Sequence, residues 1–259
     1  MMLIDSHAHL FLEEFEEDLP QVVERARAAS VSHIFMPNID SSTIEPLLKV
    51  CAAYPGYCFP MAGLHPTSVN GDYEKELQIV EQQLKSNKSY VAVGEIGMDL
   101  YWDKTYLKEQ QMVLDKQLSW ALEYDLPVVL HCREAFDELF EVLKNYKNTS
   151  LRGVFHSFTG SEQDADGVME YEKFLVGING VVTFKKSTLP MVLERIPLER
   201  LVLETDSPYL TPAPNRGKRN ESANVKGVMR KLAEVYQSSE EDVAAVTTRN
   251  ALMLFGMLK

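Results

Sequence analysis

The chain has 259 residues, 45% of them hydrophobic, and a formal net charge of −12. That length allows a large core, and that acidity argues against a broad surface for long nucleic acid, leaving only local basic loops as phosphate contacts. No segment approaches the roughly 20 apolar residues of a membrane span, and Asp5 and His7 interrupt the N-terminus before a signal peptide can form, so we expect a cytoplasmic protein without membrane contact.

Eight short apolar runs recur along the chain, and each is followed by a helical pattern. They begin at Met2 (MLIDSH), His33 (HIFMPN), Tyr57 (YCFPMAGLHP), Tyr90 (YVAVGEIG), Leu126 (LPVVLHC), Arg152 (RGVFHSFTG), Lys173 (KFLVGING) and Arg200 (RLVLETDSP). Their spacing of roughly 20 to 35 residues is that of one strand-helix unit. We predict an α/β fold, a single (β/α)8 TIM-like barrel domain over residues 1–259. An open doubly wound sheet is the alternative, because periodicity does not show closure.

Helical segments lie between these runs and also follow the last one. DLPQVVERARAAS carries Pro20 near its start, and LKEQQMVLDKQLSWALEYD has an apolar stripe near the helical period. After the eighth run the pattern predicts two more helices. The second is expected to open at Ser238, with Glu241 three residues on as in a capping box. The barrel is thus expected to carry extra C-terminal helices.

Ionisable residues gather at the ends of the predicted strands. They are His7 and His9 on the first run, His65 on the third, Glu95 on the fourth, His131 on the fifth, His156 on the sixth, and Glu204 and Asp206 on the eighth. The carboxyl ends of barrel strands meet at one mouth, where the active sites of barrel enzymes form. The exception is His33, which begins its strand and is expected to make a plain hydrogen bond at the opposite end.

The stretch IDSHAHL places two histidines one residue apart beside an aspartate. Side chains alternate along a strand, so Asp5, His7 and His9 are expected to share one face, and burying them together is costly unless a cation compensates. Each candidate also has a simpler interpretation: Glu95 as an ordinary strand-end acid, and the later histidines as hydrogen-bond partners of loops. Their convergence on one mouth favours a metal site.

Six residues form the predicted metal site: His7, His9, Glu95, His131, His156 and Asp206. Four imidazoles and two carboxylates are too many for one tetrahedral zinc with an open position. Two divalent ions about 3.5 to 4 Å apart that share Glu95 fit better. The mixed nitrogen and oxygen ligands admit Zn, Mn, Mg, Co or Fe. Asp206 and Glu204 share a strand face, so one is expected to be a ligand or proton acceptor and the other its partner.

The motifs DSHAHL, GLHP, VGEIGMD, LPVVLHCREA, GVFHSFTG, LETDSPYL, PAPNRGKRN and RNALMLF span essentially the whole chain. In this set the chain resembles the TatD-type hydrolases, metal-dependent deoxyribonucleases of the wider amidohydrolase-like barrel superfamily. The resemblance implies a TIM-like barrel, metal binding by the six residues named above, and hydrolysis of DNA phosphodiesters, often as an exonuclease trimming single-stranded 3′ ends. It also implies that His65 contacts the substrate phosphate or assists the chemistry. Departures such as GEIGMDLYW for GEIGLDYY, and Ser222 for a proline, remove no ionisable site residue.

Four cationic side chains are candidate phosphate contacts: Arg133, Arg216, Lys218 and Arg219. The loop NRGKRN follows the last strand and so lies on the mouth side of a barrel, where phosphate sites are frequent; the alternative is a merely solvated basic turn. So few cations imply a short footprint, as for an enzyme that grips a strand end. Three aromatic residues are candidates for stacking on bases or for loop packing: Tyr101, Trp102 and Tyr209.

The sequence therefore predicts a metal-dependent hydrolase of DNA, with hydroxide formed at the metal pair as the nucleophile. Asp206 is the best candidate to accept the water proton, Glu95 bridges the ions, and His65 steadies the phosphate. An enzymatic alternative is hydrolysis of an ester or amide, such as the aminoacyl bond on tRNA, because the same metal pair polarises a carbonyl. A non-enzymatic alternative is a metal-bearing binding module that docks a partner through NRGKRN. The expected partner is DNA with single-stranded ends, and no obligatory protein partner is evident.

Overall fold

The computed structural model describes residues 1–258, in which eight short strands alternate with helices. The strands are β1 Leu3–Asp5, β2 Val31–Pro37, β3 Cys58–Met61, β4 Val93–Asp99, β5 Val128–Arg133, β6 Gly153–Phe155, β7 Phe174–Ile178 and β8 Leu201–Leu203. Each strand overlaps one of the eight apolar runs, so all eight predicted strands are confirmed. Short apolar runs suit this position because strands of a barrel are covered on both faces.

Helices follow every strand and pack around them. They are α1 Leu19–Ala28, α2 Ile44–Ala53, α3 Tyr73–Ser86, α4 Leu107–Tyr124, α5 Phe136–Leu143, α6 Glu162–Met169, α7 Leu189–Val192, α8 Val225–Val235 and α9 Glu240–Leu254. Helices α8 and α9 are the extra C-terminal helices that the sequence predicts. No helix within residues 1–258 combines the length and apolar character needed to cross a membrane.

The strands close into a barrel. They pair in parallel and in chain order, β1 to β3 in one sheet and β4 to β8 in a second. Hydrogen bonds join the two sheets at both edges: Gly94 N donates to Ala62 O at 2.9 Å, and Ser6 N donates to Leu203 O at 3.0 Å. This sequential order around a closed ring is that of a (β/α)8 barrel and differs from the order of a doubly wound sheet.

Helix α9 covers the amino-terminal end of the barrel. The Phe255 ring, just past α9, stacks on Phe35 of β2 with 3.9 Å between the ring centroids. Asn250 Nδ2 donates to Leu201 O at 2.8 Å, which fastens α9 to the start of β8. The opposite end, where the strands finish, is therefore the end that is left open.

Two local predictions have different outcomes. Helix α9 is capped by Ser239, whose hydroxyl accepts from Asp242 N at 3.0 Å, so the predicted start at Ser238 with Glu241 was one residue early. A second serine in the same register made the two caps hard to distinguish from spacing. His33 Nδ1 lies 2.8 Å from Ser32 Oγ, which confirms its expected hydrogen bond. The single-domain organisation stays a prediction.

Candidate metal centre at the mouth of the barrel

The ionisable residues singled out in the sequence converge on one cavity of about 660 Å³ at the carboxyl ends of the strands. The residues that line it include His9, His65, Glu95, His131, His156 and Asp206. Glu95 differs from expectation in one respect: it is the third residue of β4, whose pairing with β5 continues to Asp99, rather than the last. His7 lies directly behind this wall and is fully buried.

The first histidine pair is aimed at the cavity by the chain that follows β8. Strand β1 ends at Asp5. The Asp5 carboxylate accepts hydrogen bonds from Thr205 N at 2.9 Å and from Thr205 Oγ1 at 2.7 Å, away from the histidines. The prediction that Asp5 joins the histidine cluster was therefore wrong, because the strand does not continue through His9. Asp206 N donates to His7 O at 2.9 Å, with Asp206 in the left-handed region at φ 55°, which few non-glycine residues adopt.

One oxygen of the Glu95 carboxylate faces the histidine pair. Glu95 Oε2 lies 3.1 Å from His7 Nε2 and 3.8 Å from His9 Nε2. Asp206 Oδ1 lies 3.7 Å from His7 Nε2 and 3.5 Å from His9 Nε2. Two imidazole nitrogens and two carboxylate oxygens thus surround one point, which is a ligand set suited to a divalent ion.

The other oxygen of Glu95 faces a second set of imidazoles. Glu95 Oε1 lies 2.9 Å from His131 Nδ1, 3.1 Å from His156 Nε2 and 3.3 Å from His65 Nε2. Glu95 is 2% exposed, so these contacts are made out of water. A carboxylate with a separate nitrogen set at each oxygen has the geometry of a ligand shared by two ions.

The donor set fits divalent ions. The Nε2 atoms of His7 and His9 lie only 3.1 Å apart, so they need a shared proton or a cation near both. The Nδ1 atoms of these two rings are buried and have no hydrogen-bond partner within residues 1–258. A cation beside the two Nε2 atoms would accept the lone pair of each and place the proton of each neutral ring on Nδ1.

The pKa values favour ionised carboxylates at the site, whereas the imidazoles divide into two groups. Burial raises the pKa of Glu95, but the surrounding imidazoles, led by His156, outweigh it and hold that pKa well below its usual range. The pKa of Asp206 is also lowered, because nearby imidazoles outweigh burial. Burial lowers the pKa of His7 and of His65. Burial also acts to lower the pKa of His131 and of His156, but the neighbouring carboxylates outweigh it and raise the pKa of both, that of His156 well above its usual value. Metals require neutral imidazoles, so an ion bound by His131 and His156 would displace a proton from each ring.

Two further acids lie beside the histidines of the second set. Asp99 Oδ2 lies 2.9 Å from His131 Nε2, and Glu204 Oε1 lies 3.3 Å from His156 Nδ1. The Asp99 contact is within hydrogen-bond distance, so it fixes a proton on His131 Nε2 and leaves the lone pair of Nδ1 for a metal. The Glu204 contact is a charge contact only, because His156 Nδ1 has no hydrogen-bond partner within residues 1–258. The sequence predicted that one of Glu204 and Asp206 is a ligand or proton acceptor and the other its partner, and it did not single out Asp99. The signal for Asp99 was its spacing in β4: it comes four residues after Glu95, and residues an even number of positions apart lie on the same face of a strand.

Gly97 separates Glu95 from Asp99, and its replacement by alanine is expected to disrupt the site. Its φ is 147°, and a β-carbon there would lie 1.9 Å from the His131 carbonyl oxygen. We expect Gly97→Ala to lower the free energy of unfolding by about 3 kcal/mol, measured by urea unfolding. Gly71→Ala is the matched control, since its β-carbon would meet no atom within 4 Å and should change stability by less than about 0.5 kcal/mol. Equal stability of the two variants would contradict this view of β4.

The cationic candidates divide between two places. Arg133, the last residue of β5, lines the mouth cavity, and its guanidinium lies 3.6 Å from the Tyr101 ring centroid and 5.7 Å from that of Trp102. The loop cations line a separate groove beside the mouth: Arg216, Lys218 and Arg219. The expectation that the loop cations surround the same phosphate as the metals is therefore replaced by two distinct cationic regions.

Arg219 is occupied by an ion pair. Its guanidinium donates to Asp18 Oδ1 at 2.7 Å and to Asp18 Oδ2 at 2.8 Å, and its carbon lies 4.7 Å from the Phe15 ring centroid. The partner lies 201 positions away in sequence, so the loop sequence alone did not reveal this pairing. Arg219 is consequently the weakest of the predicted phosphate contacts, and Arg216 and Lys218 carry more of the available positive charge.

The ion pair between Arg219 and Asp18 is expected to make a small, pH-dependent contribution to stability. Its hydrogen bond, helped by Arg25, lowers the pKa of Asp18 to about 2 from 3.8. A lowered carboxyl pKa stabilises the fold above the ordinary value and loses that effect as the pH falls toward 2. Asp18→Asn should cost less than about 1 kcal/mol at neutral pH, because the pair is partly exposed. Urea unfolding should show this difference shrinking as the pH falls to about 3; a constant difference would contradict it.

Comparison with known proteins places this arrangement in a family. A family model described as TatD related DNase matches residues 4–256. A protein of Bacillus subtilis (strain 168) named uncharacterized metal-dependent hydrolase YabD is 37% identical, over 98% of this chain and 99% of that protein. A 3'-5' ssDNA/RNA exonuclease TatD of Pectobacterium parmentieri (strain WPP163) is 31% identical, over 98% of this chain and 99% of the relative.

A solved structure agrees with the sequence relatives. The crystal structure of YjjV, a TatD homolog from Escherichia coli K12, superimposes with a TM-score of 0.91 at 31% identity, over 98% of both chains. The family match covers the whole barrel, from residue 4 to residue 256. The chain therefore belongs to the TatD-related DNase family, whose members include proteins named as metal-dependent hydrolases.

Proposed function

We propose that the protein is a two-metal hydrolase that releases nucleotides from the 3′ end of single-stranded DNA. The observation that carries the proposal is the position of Glu95, whose two carboxylate oxygens face two separate sets of ligand atoms. Relatives named as 3'-5' ssDNA/RNA exonucleases support the substrate class and the polarity, and they make RNA a second substrate to test.

In this proposal the site residues divide between two ions. His7, His9, Asp206 and one oxygen of Glu95 would hold the first, and His131 Nδ1, His156 Nε2 and the other oxygen of Glu95 the second. When bound, such a pair makes water acidic enough to attack at neutral pH and stabilises negative charge on the phosphoryl oxygens.

Asp206 is the proton acceptor in this proposal. Its side chain is 15% exposed, which is more than the 3% of Glu95, so it reaches the open part of the cavity. Its lowered pKa keeps the carboxylate ionised at neutral pH, because nearby imidazoles outweigh the effect of burial. A carboxylate placed at the cavity wall can take the proton of the attacking water.

His65 fits a phosphate-binding role better than a ligand role. Thr67 N donates to His65 Nδ1 at 3.1 Å, so the neutral ring carries its proton on Nε2. That Nε2 faces the cavity and lies 3.3 Å from Glu95 Oε1. A nitrogen that carries a proton donates to a phosphate oxygen but offers no lone pair to a metal. Arg133, at the cavity wall, supplies a second donor for the phosphate.

The test is product analysis on single-stranded DNA labelled at either end. Protein stripped of metal with a chelator is assayed with Mg, Mn, Co or Zn added back, beside Asp206→Asn. We expect metal-dependent, stepwise loss of nucleotides from the 3′ end, and at least 10²-fold slower loss in the variant, roughly the value of one acid-base group. Folded, metal-loaded protein that leaves DNA and RNA intact but releases amino acid from aminoacyl-tRNA would overturn the proposal in favour of a carbonyl substrate.

A further inference from the structure

A second groove lies beside the mouth and shares two lining residues with it. It has a volume of about 450 Å³, and Tyr209 and Leu210 line both this groove and the mouth cavity. Phe184, Arg216 and Lys218 form much of its remaining wall. We call it the strand groove and define it by these five residues.

The strand groove carries positive charge that the protein does not neutralise. Within residues 1–258, Arg216 and Lys218 form no ion pair, whereas the neighbouring Arg219 is paired with Asp18. Glu14 is the acid on the groove wall. In a chain with a net charge of −12, two unpaired cations in one groove beside the candidate active site favour an anionic ligand.

Aromatic rings accompany these cations. The Arg216 guanidinium stacks on Phe184, with its carbon 3.9 Å from the ring centroid, an arrangement that leaves the N–H groups at its edge free for an anion. Tyr209 is 51% exposed and stands between mouth and groove, with its ring centroid 6.4 Å from that of His9. Cations beside an exposed ring are typical of surfaces that bind single-stranded nucleic acid, where phosphates meet the cations and bases stack on the ring.

We propose that the strand groove binds the part of a single-stranded polynucleotide that is retained after cleavage. This inference rests on the proposed function, which puts the scissile phosphodiester at the metal centre. Arg216 and Lys218 contact phosphates beyond the scissile one, and a base stacks on Tyr209 where the strand leaves the mouth. The groove thereby gives the enzyme its preference for long strands over dinucleotides.

The test is a binding measurement that does not depend on turnover. Fluorescently labelled single-stranded DNA is titrated by anisotropy against full-length Asp206→Asn protein, alone and combined with Arg216→Ala/Lys218→Ala. We expect the double substitution to weaken binding of a long oligonucleotide by about tenfold and to lower the slope of log affinity against log salt by about 1.4, the value for two phosphate contacts. Affinity for a dinucleotide should not change.

A matched control removes the same charges elsewhere. Lys49 is exposed on α2, and Arg249 is exposed on α9, at the closed end of the barrel; Lys49→Ala/Arg249→Ala should leave both affinities unchanged. Lys218→Ala alone, which breaks no ion pair, should lower the salt slope by about 0.7 if the double variant is unstable.

Three results would overturn the proposed role of the strand groove. If the double variant bound the long oligonucleotide with unchanged affinity, Arg216 and Lys218 would not be part of the binding surface. If the double variant lost equal affinity for the dinucleotide and the long oligonucleotide, the two cations would act at the mouth instead. Failure of both the Asp206→Asn protein and the wild-type protein to bind oligonucleotide would also refute the proposal, while metal-dependent hydrolysis of bis-p-nitrophenyl phosphate by the wild-type protein would report separately on the catalytic centre.

Discussion

Replacing Glu95 with glutamine is expected to abolish hydrolysis and to reduce bound metal. The carboxylate has one oxygen 3.1 Å from His7 Nε2 and the other 2.9 Å from His131 Nδ1, and a neutral amide supplies neither the charge nor a second oxygen. Metal ions supply several kcal/mol of transition-state stabilisation, so kcat/KM should fall by about 10³-fold or more. Steady-state kinetics on labelled DNA and metal analysis of the dialysed protein measure both effects.

Glu76→Gln is the matched control for this substitution. Glu76 is a half-buried acid that accepts from Ser41 N at 2.8 Å and from Ser41 Oγ at 2.9 Å, outside the residues that line the mouth. Its replacement should leave kcat/KM and metal content unchanged within twofold and cost only about 1 kcal/mol of stability. A Glu95→Gln protein that is folded, fully loaded with metal and active would contradict the shared-ligand assignment.

Removal of metal is expected to lower the melting temperature as well as the activity. The site packs buried imidazoles and carboxylates together, so an ion that binds only the folded chain stabilises it by about 4 kcal/mol when present at 1,000-fold its Kd. For a chain of this size that corresponds to a decrease of about 10 °C on chelation, reversed when metal is returned. Differential scanning fluorimetry with and without chelator measures the shift.

Histidine variants separate this effect from a general response to chelator. His7→Ala/His9→Ala removes two buried ligands and should make the melting temperature insensitive to chelation. His33→Ala removes a histidine that contacts Ser32 in β2 and should leave the shift intact. A wild-type melting temperature that chelation does not change would contradict a structural role for the ions.

Much of the fold followed from signals that are local in the sequence. Each strand is a short apolar run, and the parallel barrel brings the residues after those runs to one end, so His65, His131 and His156 could be grouped without knowledge of any contact. Two hydrogen bonds were decisive for closure, one at Ala62 and one at Leu203. Such pairings join chain segments that no periodicity connects, which is why the open sheet stayed an alternative.

The finer geometry of the site depended on contacts between distant residues. The position of Asp99 against His131 requires the register between β4 and β5, and the pairing of Arg219 with Asp18 requires the docking of the last loop on the first. The end of β1 at Asp5 was likewise decided by Thr205, 200 positions away. Residue types in this chain therefore predicted which side chains meet, while long-range packing decided which atoms of each side chain face the centre.

Anomalous diffraction from crystals of the manganese-loaded protein tests whether two ions share Glu95. We expect two peaks about 3.5 to 4 Å apart, one beside each oxygen of Glu95. The first should lie against His7 and His9, and the second against His131 and His156. A single peak, or two peaks that Glu95 does not join, would contradict a shared carboxylate and with it the proposed two-metal chemistry.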